Sequence, residues 1–238
     1  MQMAHFPVCN TTTYNSIEYL YFQHSNVFTS FQCQVFKTFP SLKFLEIKNS
    51  LLAEFPDLSN ATKLEELYLN ENKITSAGLR NVTNVPINDK LKYLRLNHNL
   101  ITTLYASFFD HLVHLLEVYL YDNQITELPE GIFTYLSNCV KFHIQSNQIT
   151  SIPGRTAMKA PSDLEQLYLH SNKIEIFPEG FLNNMTKLKV LYLSANHFRY
   201  LTNNTFLPVV NQLRHIYLHS NRLKFISNGF FTNMDHLY

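Results

Sequence analysis

Two stretches of this 238-residue chain place a tyrosine and a histidine at alternate positions just before an asparagine. The letters YLHSN occupy residues 168–172, and nearly the same context surrounds them again at residues 217–221. Phenol and imidazole groups donate and accept hydrogen bonds, and imidazole also binds metal ions and transfers protons near neutral pH. These side chains could therefore form a recognition site, bind a metal ion or make a contact that depends on pH, or they could be incidental to a structural repeat. Which of these applies depends on the elements that position the side chains.

Both stretches belong to a repeat with the pattern L-x-x-L-x-L-x-x-N-x-L. Its units begin near residues 17, 42, 64, 91, 115, 139, 164, 188 and 213, and a tenth unit begins at residue 237. Seven units have asparagine at the ninth position: Asn72, Asn99, Asn123, Asn147, Asn172, Asn196 and Asn221. The first two units have Ser25 and Ser50 there. Such repeats form solenoids, so we divide the chain into an N-terminal cap segment, 1–16, and a solenoid, 17–238.

Each position of the repeat has a physical role. Apolar residues such as Leu167 and Leu169 alternate along a short strand and point into the coil, and stacked coils join these strands into a parallel sheet. The asparagine amide can satisfy backbone groups where the chain turns, and serine does this less completely, so we expect looser first coils. A second core row is predicted on the return segments, at Phe109, Phe133, Phe206 and Phe231.

This register resembles the leucine-rich repeat family, in particular its class of about 24 residues, LxxLxLxxNxLxxLPxxxFxxL. The resemblance covers residues 17–238. It implies an α/β solenoid: a horseshoe with a parallel concave β-sheet of about nine short strands and irregular or short helical convex segments. The class is found mainly in extracellular and cell-surface proteins, among them Toll-type receptors and insect secreted immune proteins. The resemblance therefore implies an extracellular or cell-surface protein.

The two ends of the sequence bear on this expectation. The first 16 residues contain no apolar segment like that of a secretory signal, and the sequence stops two residues into its tenth unit. Because the repeat class is extracellular and normally ends in a capping unit, we expect a signal peptide upstream and a missing C-terminal cap. The alternative is a complete protein whose last coil is covered by a partner or by a homo- or heterodimer.

The cysteines and glycosylation motifs fit a secreted chain. Cys139 fills a core leucine position and is expected to be a buried, unreactive side chain. Cys9 and Cys33 either form a disulfide that closes the N-terminal cap or remain two free thiols, and in a secreted chain we expect the disulfide. Motifs for N-glycosylation occur at Asn10, Asn60, Asn81, Asn184 and Asn203.

Composition argues against several other classes of function. Lys and Arg number 19 against 18 Asp and Glu, and no basic run occurs, so we expect no nucleic-acid partner. No apolar run is long enough for a membrane helix, and with 5 glycines the chain has no phosphate-binding loop, so no cofactor is predicted. The sequence contains no HExxH, GxSxG or paired-carboxylate motif. We therefore predict no catalytic residues and a non-enzymatic protein.

The residues between the strand leucines point outward and line the concave face. Nine of the 14 tyrosines lie there, six of them in the central column of the strands. Tyrosine is a rigid contact residue that is enriched in binding sites, although stacking along a sheet would also stabilise the fold by itself. We predict that this face binds a protein or glycoprotein ligand. The predicted ligand-binding residues are Tyr68, Arg95, Tyr119, Tyr121, His143, Tyr168, His170, Tyr192, Tyr217 and His219.

The histidines of the later strands leave two further hypotheses. His143, His170, His215 and His219 lie near one another, but no cysteine or carboxylate cluster joins them, so we expect no metal site. A ligand contact that depends on pH stays open. Two other functions also stay open: a structural or adhesive matrix protein, and an intracellular scaffold. The first hypothesis remains an extracellular recognition module in innate immunity or cell-surface signalling.

Overall fold

The computed structural model describes residues 13–24, 29–30, 35–79, 90–154, 162–202 and 204–238. Within these ranges, nine short strands form one parallel sheet in the order β1-β2-β3-β4-β5-β6-β7-β8-β10. They are β1 Tyr19–Gln23, β2 Phe44–Lys48, β3 Glu66–Tyr68, β4 Tyr93–Arg95, β5 Glu117–Tyr119, β6 Lys141–His143, β7 Gln166–Tyr168, β8 Val190–Tyr192 and β10 His215–Tyr217. This arrangement confirms the predicted solenoid.

The segments that return the chain between these strands contain little regular structure. One short α-helix, two 3-10 helices and a second, two-stranded parallel sheet occur there in the described ranges. They are α1 Val35–Thr38, the 3-10 helices Ala106–Phe109 and Leu207–Val209, β9 Tyr200–Leu201 and β11 Phe225–Ile226. No helix in the described part of the chain is long and apolar enough to span a bilayer.

The core has the two rows that the repeat predicts, with one correction. The middle residue of each strand is buried, as at Leu67, Leu167 and Leu191, which have no exposed surface. Three members of the second row are also buried: Phe109, Phe133 and Phe206. The prediction for Phe231 is wrong, because this side chain is 53% exposed and Phe230 packs against Phe206 instead, with ring centroids 5.3 Å apart. Phe231 follows β10, the last strand of the concave sheet in the described residues.

The chain turns at the end of each concave strand through a left-handed residue. The residue just before the ladder position has positive φ in all nine coils: His24, Asn49, Glu71, His98, Asp122, Ser146, Ser171, Ala195 and Ser220. Glycine adopts this conformation without strain, yet none of the nine positions is a glycine. Each coil therefore has one mildly strained residue at the same place, and in seven of the nine coils a ladder asparagine follows it directly.

The ladder asparagines connect consecutive coils. The Asn123 amide nitrogen donates to the carbonyl of Leu120 in its own coil and to that of Leu96 in the preceding coil, both at 3.0 Å. Its carbonyl oxygen accepts from the backbone N–H of Ile101 at 3.1 Å. The other six ladder asparagines make the same kinds of contact. One side chain thus satisfies buried backbone groups of two coils.

The first coils do not have shorter strand pairing than the rest. Ser50 is buried, and its hydroxyl donates to the carbonyl of Lys48, 3.2 Å away in the same coil. Even so, β1 and β2 are five residues long and pair over their whole length, whereas the later concave strands are three residues long. Serine in place of asparagine therefore does not shorten the sheet at this end. Ser25 lies outside the described residues.

Asn123→Ala tests the ladder directly. The substitution leaves the buried N–H of Ile101 without its partner. The carbonyls of Leu96 and Leu120 each lose one of two side-chain donors but keep the amides of Asn99 and Asn147. We therefore expect the free energy of unfolding to fall by about 2 kcal/mol. Gln124→Ala, at the exposed neighbouring position, should change it by less than about 0.5 kcal/mol. Urea denaturation followed by circular dichroism measures both values. Equal, small effects would show that the ladder bonds do not stabilise the solenoid.

Substitutions at Ala195 test the left-handed turn, because this residue has a φ of 51° and an exposed side chain. Ala195→Gly should raise the free energy of unfolding by about 0.5 kcal/mol, since glycine relieves the strain. Ala195→Val should lower it by about 1 kcal/mol, because a β-branched residue fits this conformation poorly. Ala53→Gly, at a position without positive φ, should be destabilising. Thermal and urea unfolding of all three variants distinguish these outcomes, and a destabilising Ala195→Gly would contradict the turn geometry.

Candidate functional site

The sheet presents three outward columns of side chains on its concave face. In each three-residue strand the first and last residues are half-buried and the middle one is buried, except in β10, where the middle residue is half-buried and the last exposed. Strand register places Tyr68, Arg95, Tyr119, His143, Tyr168, Tyr192 and Tyr217 in one central column. The column beyond it holds Tyr121, His170 and His219, two residues further along their chains. The structure thus places all ten predicted residues in two adjacent columns.

The central column is a continuous stack of flat side chains. Ring centroids lie 4.5 Å apart for Tyr119 and His143, 3.9 Å for His143 and Tyr168, and 4.5 Å for Tyr168 and Tyr192. The stack ends at Tyr217, 4.4 Å from Tyr192. All four interplanar angles are 14° or less. Because the rings inside the stack use both faces on their neighbours, a ligand meets the edges of those rings and not their faces.

Arg95 continues the stack toward the N-terminal coils. Its guanidinium carbon lies 4.1 Å from the ring centroid of Tyr68 and 5.2 Å from that of Tyr119. This is the geometry of a cation–π contact on both sides of one arginine. Two kinds of side chain therefore interrupt the row of tyrosines, a guanidinium in β4 and an imidazole in β6.

Some phenol groups in the stack donate hydrogen bonds to neighbouring side chains. Tyr168 donates to the Gln166 side-chain oxygen at 2.7 Å, and Tyr119 donates to the carboxylate of Glu117. Burial, followed by this hydrogen bond, raises the pKa of Tyr119 well above its usual range. Burial also raises the pKa of Tyr192, to about 12. Tyr119 and Tyr192 therefore carry no charge at physiological pH.

His143 is also neutral. Burial between the rings of Tyr119 and Tyr168 lowers its pKa to about 4, although the nearby carboxylate of Glu117 acts in the opposite direction. A neutral imidazole has one nitrogen that donates and one that accepts. His170 has a lowered pKa as well, through burial and through the positive charge that His219 can carry. In the described residues, no group of three or more potential metal ligands converges.

Buried polar atoms without partners cluster where the stack is interrupted. We call the six residues of β4 to β6 and their extensions the central patch: Arg95, Asn97, Tyr119, Tyr121, His143 and Gln145. In the described residues, four of the six buried side-chain polar atoms that lack a hydrogen bond belong to this patch. They are Arg95 Nε, Asn97 Oδ1, His143 Nε2 and Gln145 Oε1. Each such atom costs about 1–3 kcal/mol unless something else satisfies it.

The charges around the central patch are largely paired with one another. Lys141 lies 2.9 Å from the Glu117 carboxylate, and Lys48 lies 3.1 Å from that of Glu71. His98 approaches the carboxylate of Asp122 at 3.4 Å. The binding capacity that remains in the patch consists of amide oxygens, an imidazole nitrogen and the charged guanidinium of Arg95. Such a set fits neutral hydrogen-bonding groups, such as hydroxyls and amides.

Sequence reasoning did not include Asn97 and Gln145 in the site. Both occupy outward positions of the repeat, but nothing in the pattern indicates that Asn97 is only 4% exposed. The register of β4 and β5 places Asn97 beside Tyr121, whose ring stands nearly perpendicular to those of Tyr119 and His98. A polar residue flanked by a large aromatic residue in the next coil is the one signal that was available in the sequence.

The other predicted positions have mixed outcomes. Cys139 is buried, and burial raises the pKa of its thiol well above the usual range, as expected of an unreactive core residue. Asn184 is exposed, and Asn60 is half-buried, with its amide 3.3 Å from the hydroxyl of Ser59. Five predicted positions lie outside the described residues: Cys9, Asn10, Cys33, Asn81 and Asn203. The disulfide and the glycosylation of these asparagines stay predictions.

The lowered pKa of His143 makes stability depend on pH in a defined direction. Between its unfolded value of about 6.5 and its folded value of about 4, the unfolded chain binds a proton that the folded chain excludes. The free energy of unfolding should therefore fall as the pH drops through this window. His143→Phe keeps a stacked ring but cannot be protonated, so its stability should fall less than that of the wild type. Urea denaturation at several pH values measures the difference.

Tyr168→Phe is the matched control for this comparison, because it changes the same stack without removing a basic group. It should keep the wild-type pH dependence. If His143→Phe also kept it, the imidazole would not be buried as the structure shows.

Comparisons with known proteins agree with this geometry. A leucine rich repeat profile matches residues 89–149 and 137–198. Podocan-like protein 1 from Homo sapiens is 41% identical over 70 residues, 29% of this chain and 14% of the human protein. A crystal structure of a TLR13–ssRNA13 complex matches with a TM-score of 0.75 at 21% identity, covering 92% of this chain and 35% of that one, a likeness of fold. The chain spans well under half of either protein. Its residues 89–198 match the leucine-rich repeat family.

Proposed function

We propose that this chain is a non-enzymatic recognition module that binds a protein or glycoprotein ligand through its concave face. The observation that carries the proposal is the central patch, where four buried polar atoms lack partners among the described residues. Folded proteins satisfy most buried polar groups, so a cluster of exceptions on one surface indicates that something else completes it. A ligand with neutral donors and acceptors, such as backbone amides or glycan hydroxyls, would do so.

The size and shape of the surface support a macromolecular ligand. From Tyr68 to Tyr217 the central column runs through seven consecutive strands, β3 to β10. The stacked rings from Tyr119 to Tyr217 present their edges along five of these strands. A small molecule is normally held in a concave pocket that buries most of its surface. Tyrosine and arginine are also the side chains that most often dominate binding energy in protein interfaces. A long, tyrosine-rich face with a polar centre fits an extended protein or glycoprotein surface.

The charge balance favours a protein over a nucleic acid. Of the outward strand positions, three carry cations and three carry carboxylates: Lys48, Arg95, Lys141, Glu46, Glu66 and Glu117. Binding of a phosphate backbone depends on an excess of cations that displace counterions. The structural neighbour in complex with ssRNA13 shares the fold with this chain at 21% identity, so its ligand is not carried over. Single-stranded RNA is instead an outcome of the test.

In this proposal His143 holds the stack of rings together and does not act as a catalytic base. The imidazole of His143 has a ring on each side at 4.5 and 3.9 Å, so it cannot swing toward a substrate as a general base must. We place the module in an extracellular or cell-surface setting, because repeats of about 24 residues are typical of such proteins. Innate immunity or cell-surface signalling is the context that we propose for it.

A binding panel with variants of the central patch tests the proposal. The panel contains purified extracellular proteins, free glycans and polyuridine RNA, and binding is measured by surface plasmon resonance. We expect the wild-type chain to bind a protein or glycoprotein of the panel. Tyr121→Ala and Gln145→Ala should each weaken that binding about tenfold or more, the size of a hot-spot effect.

Tyr135→Ala is the matched control, because this tyrosine is 43% exposed on a return segment outside the concave strands. It should leave the affinity unchanged. Binding that survives both patch substitutions, or that prefers polyuridine, would overturn the proposed concave-face function.

A further inference from the structure

Three consecutive coils expose a large apolar side chain at the same position, four residues after the ladder asparagine. Ile176, Tyr200 and Phe225 are 59%, 53% and 62% exposed, and we call them the flank ridge. Tyr200 and Phe225 are register partners in the small β9–β11 sheet. The ridge lies beyond the turn that ends each concave strand, so it is a different surface from the central patch.

The repeat itself shows that the fold does not require apolar residues at this position. The three preceding coils have Thr103, Glu127 and Ser151 there. Glu127 and Ser151 are also exposed and are joined by a parallel bridge, so the backbone arrangement is similar. Ile176 and Tyr200 each have a coil stacked on both sides and still remain more than half exposed. Contiguous exposed apolar side chains of this kind are typical of interaction sites.

Positive charge appears in the same three coils. The first and third positions after the ladder asparagine hold Lys173, Glu175, His197, Arg199, Arg222 and Lys224. Four of these six are cations and one is a carboxylate, which lies 3.9 Å from the Arg199 guanidinium. The corresponding positions in the three preceding coils are uncharged: Leu100, Thr102, Gln124, Thr126, Gln148 and Thr150. Because the whole chain has a net charge of only +1, this excess is local.

A cavity of about 470 Å³ opens beside the first residue of the ridge. Its lining includes the apolar side chains of Ile152, Ile176 and Pro178, together with Lys173, Glu175 and His197. Pockets of about 300–1,000 Å³ that are mostly apolar, with a few polar groups, are typical of binding sites. This one has room for a large apolar side chain, with charged groups close to its opening.

We propose that the flank ridge and its cavity form a docking surface for an acidic protein segment that inserts one large apolar side chain. Carboxylates on the segment complement the four cations, which steers the encounter and fixes its orientation. The inserted side chain and Tyr200 form the buried anchor that dominates such interfaces. The surface is separate from the concave face, so the inference holds whether or not the central patch binds a ligand.

Two other occupants agree less well with these observations. A second copy of the chain, placed across a two-fold axis, would bring the same basic surface against itself, and like charges across an interface are unfavourable. An anionic bilayer would match the charge and the apolar ridge, but it offers no side chain for the cavity. Both are included as outcomes of the experiment.

Selection from a display library of random peptides tests the docking surface on the full chain. We expect enrichment of peptides that combine Asp or Glu with one Phe, Leu or Ile. The apolar variant Ile176→Ser, Tyr200→Ser, Phe225→Ser introduces the residue type of Ser151, and should weaken binding of a selected peptide about tenfold or more in fluorescence anisotropy. The charge variant Lys173→Gln, Arg222→Gln, Lys224→Thr should also weaken it and reduce its dependence on salt.

Two controls make the result decisive. Tyr121→Ala, in the central patch, should leave peptide binding unchanged, and both multiple variants should keep the wild-type melting temperature. No enrichment, enrichment of basic peptides, or full binding by the apolar variant would overturn the inference. Self-association in sedimentation velocity that the apolar variant abolishes would overturn it in favour of a second copy. Ridge-dependent binding to phosphatidylserine-containing vesicles, with no peptide selected, would overturn it in favour of a lipid surface.

Discussion

Every coil of this solenoid depends on its neighbour for the hydrogen bonds of its turning backbone. The strand residues pair across the sheet, but the chain then turns sharply through a left-handed residue such as Asp122, and the groups around that turn are buried. The Asn123 side chain satisfies them in two coils at once, with contacts of about 3 Å to each. An isolated coil would leave these groups unpaired, so the fold exists only as a stack.

This constraint determines which residues are available for function. Leucines fill the interior and asparagines fill the ladder, so the outward strand positions are the ones that can vary without disturbing the coil. Even there, the central column has a partly structural role. The rings of Tyr168 and Tyr192 stack face to face, and each shields the phenol group of the other from solvent. Arg95 and His143 replace tyrosine in the column. Two of the four unpartnered polar atoms belong to these residues, and the other two belong to Asn97 and Gln145, two residues further along the chain. The polar groups that are free to bind a ligand therefore cluster in the coils where another residue replaces the tyrosine of the central column.

The sequence predicted the periodic features well and the features that arise between coils poorly. Strand positions, the leucine core and the ladder follow from spacing alone, because each depends on one residue type at one offset. The exchange of Phe230 for Phe231 in the core could not be predicted, because two adjacent phenylalanines fit the same pattern and the packing of Phe206 decides between them. Asn97 is buried, and it lies beside Tyr121, a residue 24 positions away in sequence. The flank ridge also involves several coils, and it is recognised only when equivalent positions of six coils are compared.

Hydroxyl-radical footprinting tests the central claim, that the concave face carries recognition, most directly. The chain is oxidised alone and with the extracellular panel protein that binds it, and the modification of individual tyrosines is read by mass spectrometry. We expect Tyr121 and Tyr217 to be protected in the complex while Tyr135, on a return segment, stays as reactive as in the free chain. Protection of Tyr135 with unchanged reactivity at Tyr121 and Tyr217 would contradict a concave-face binding site.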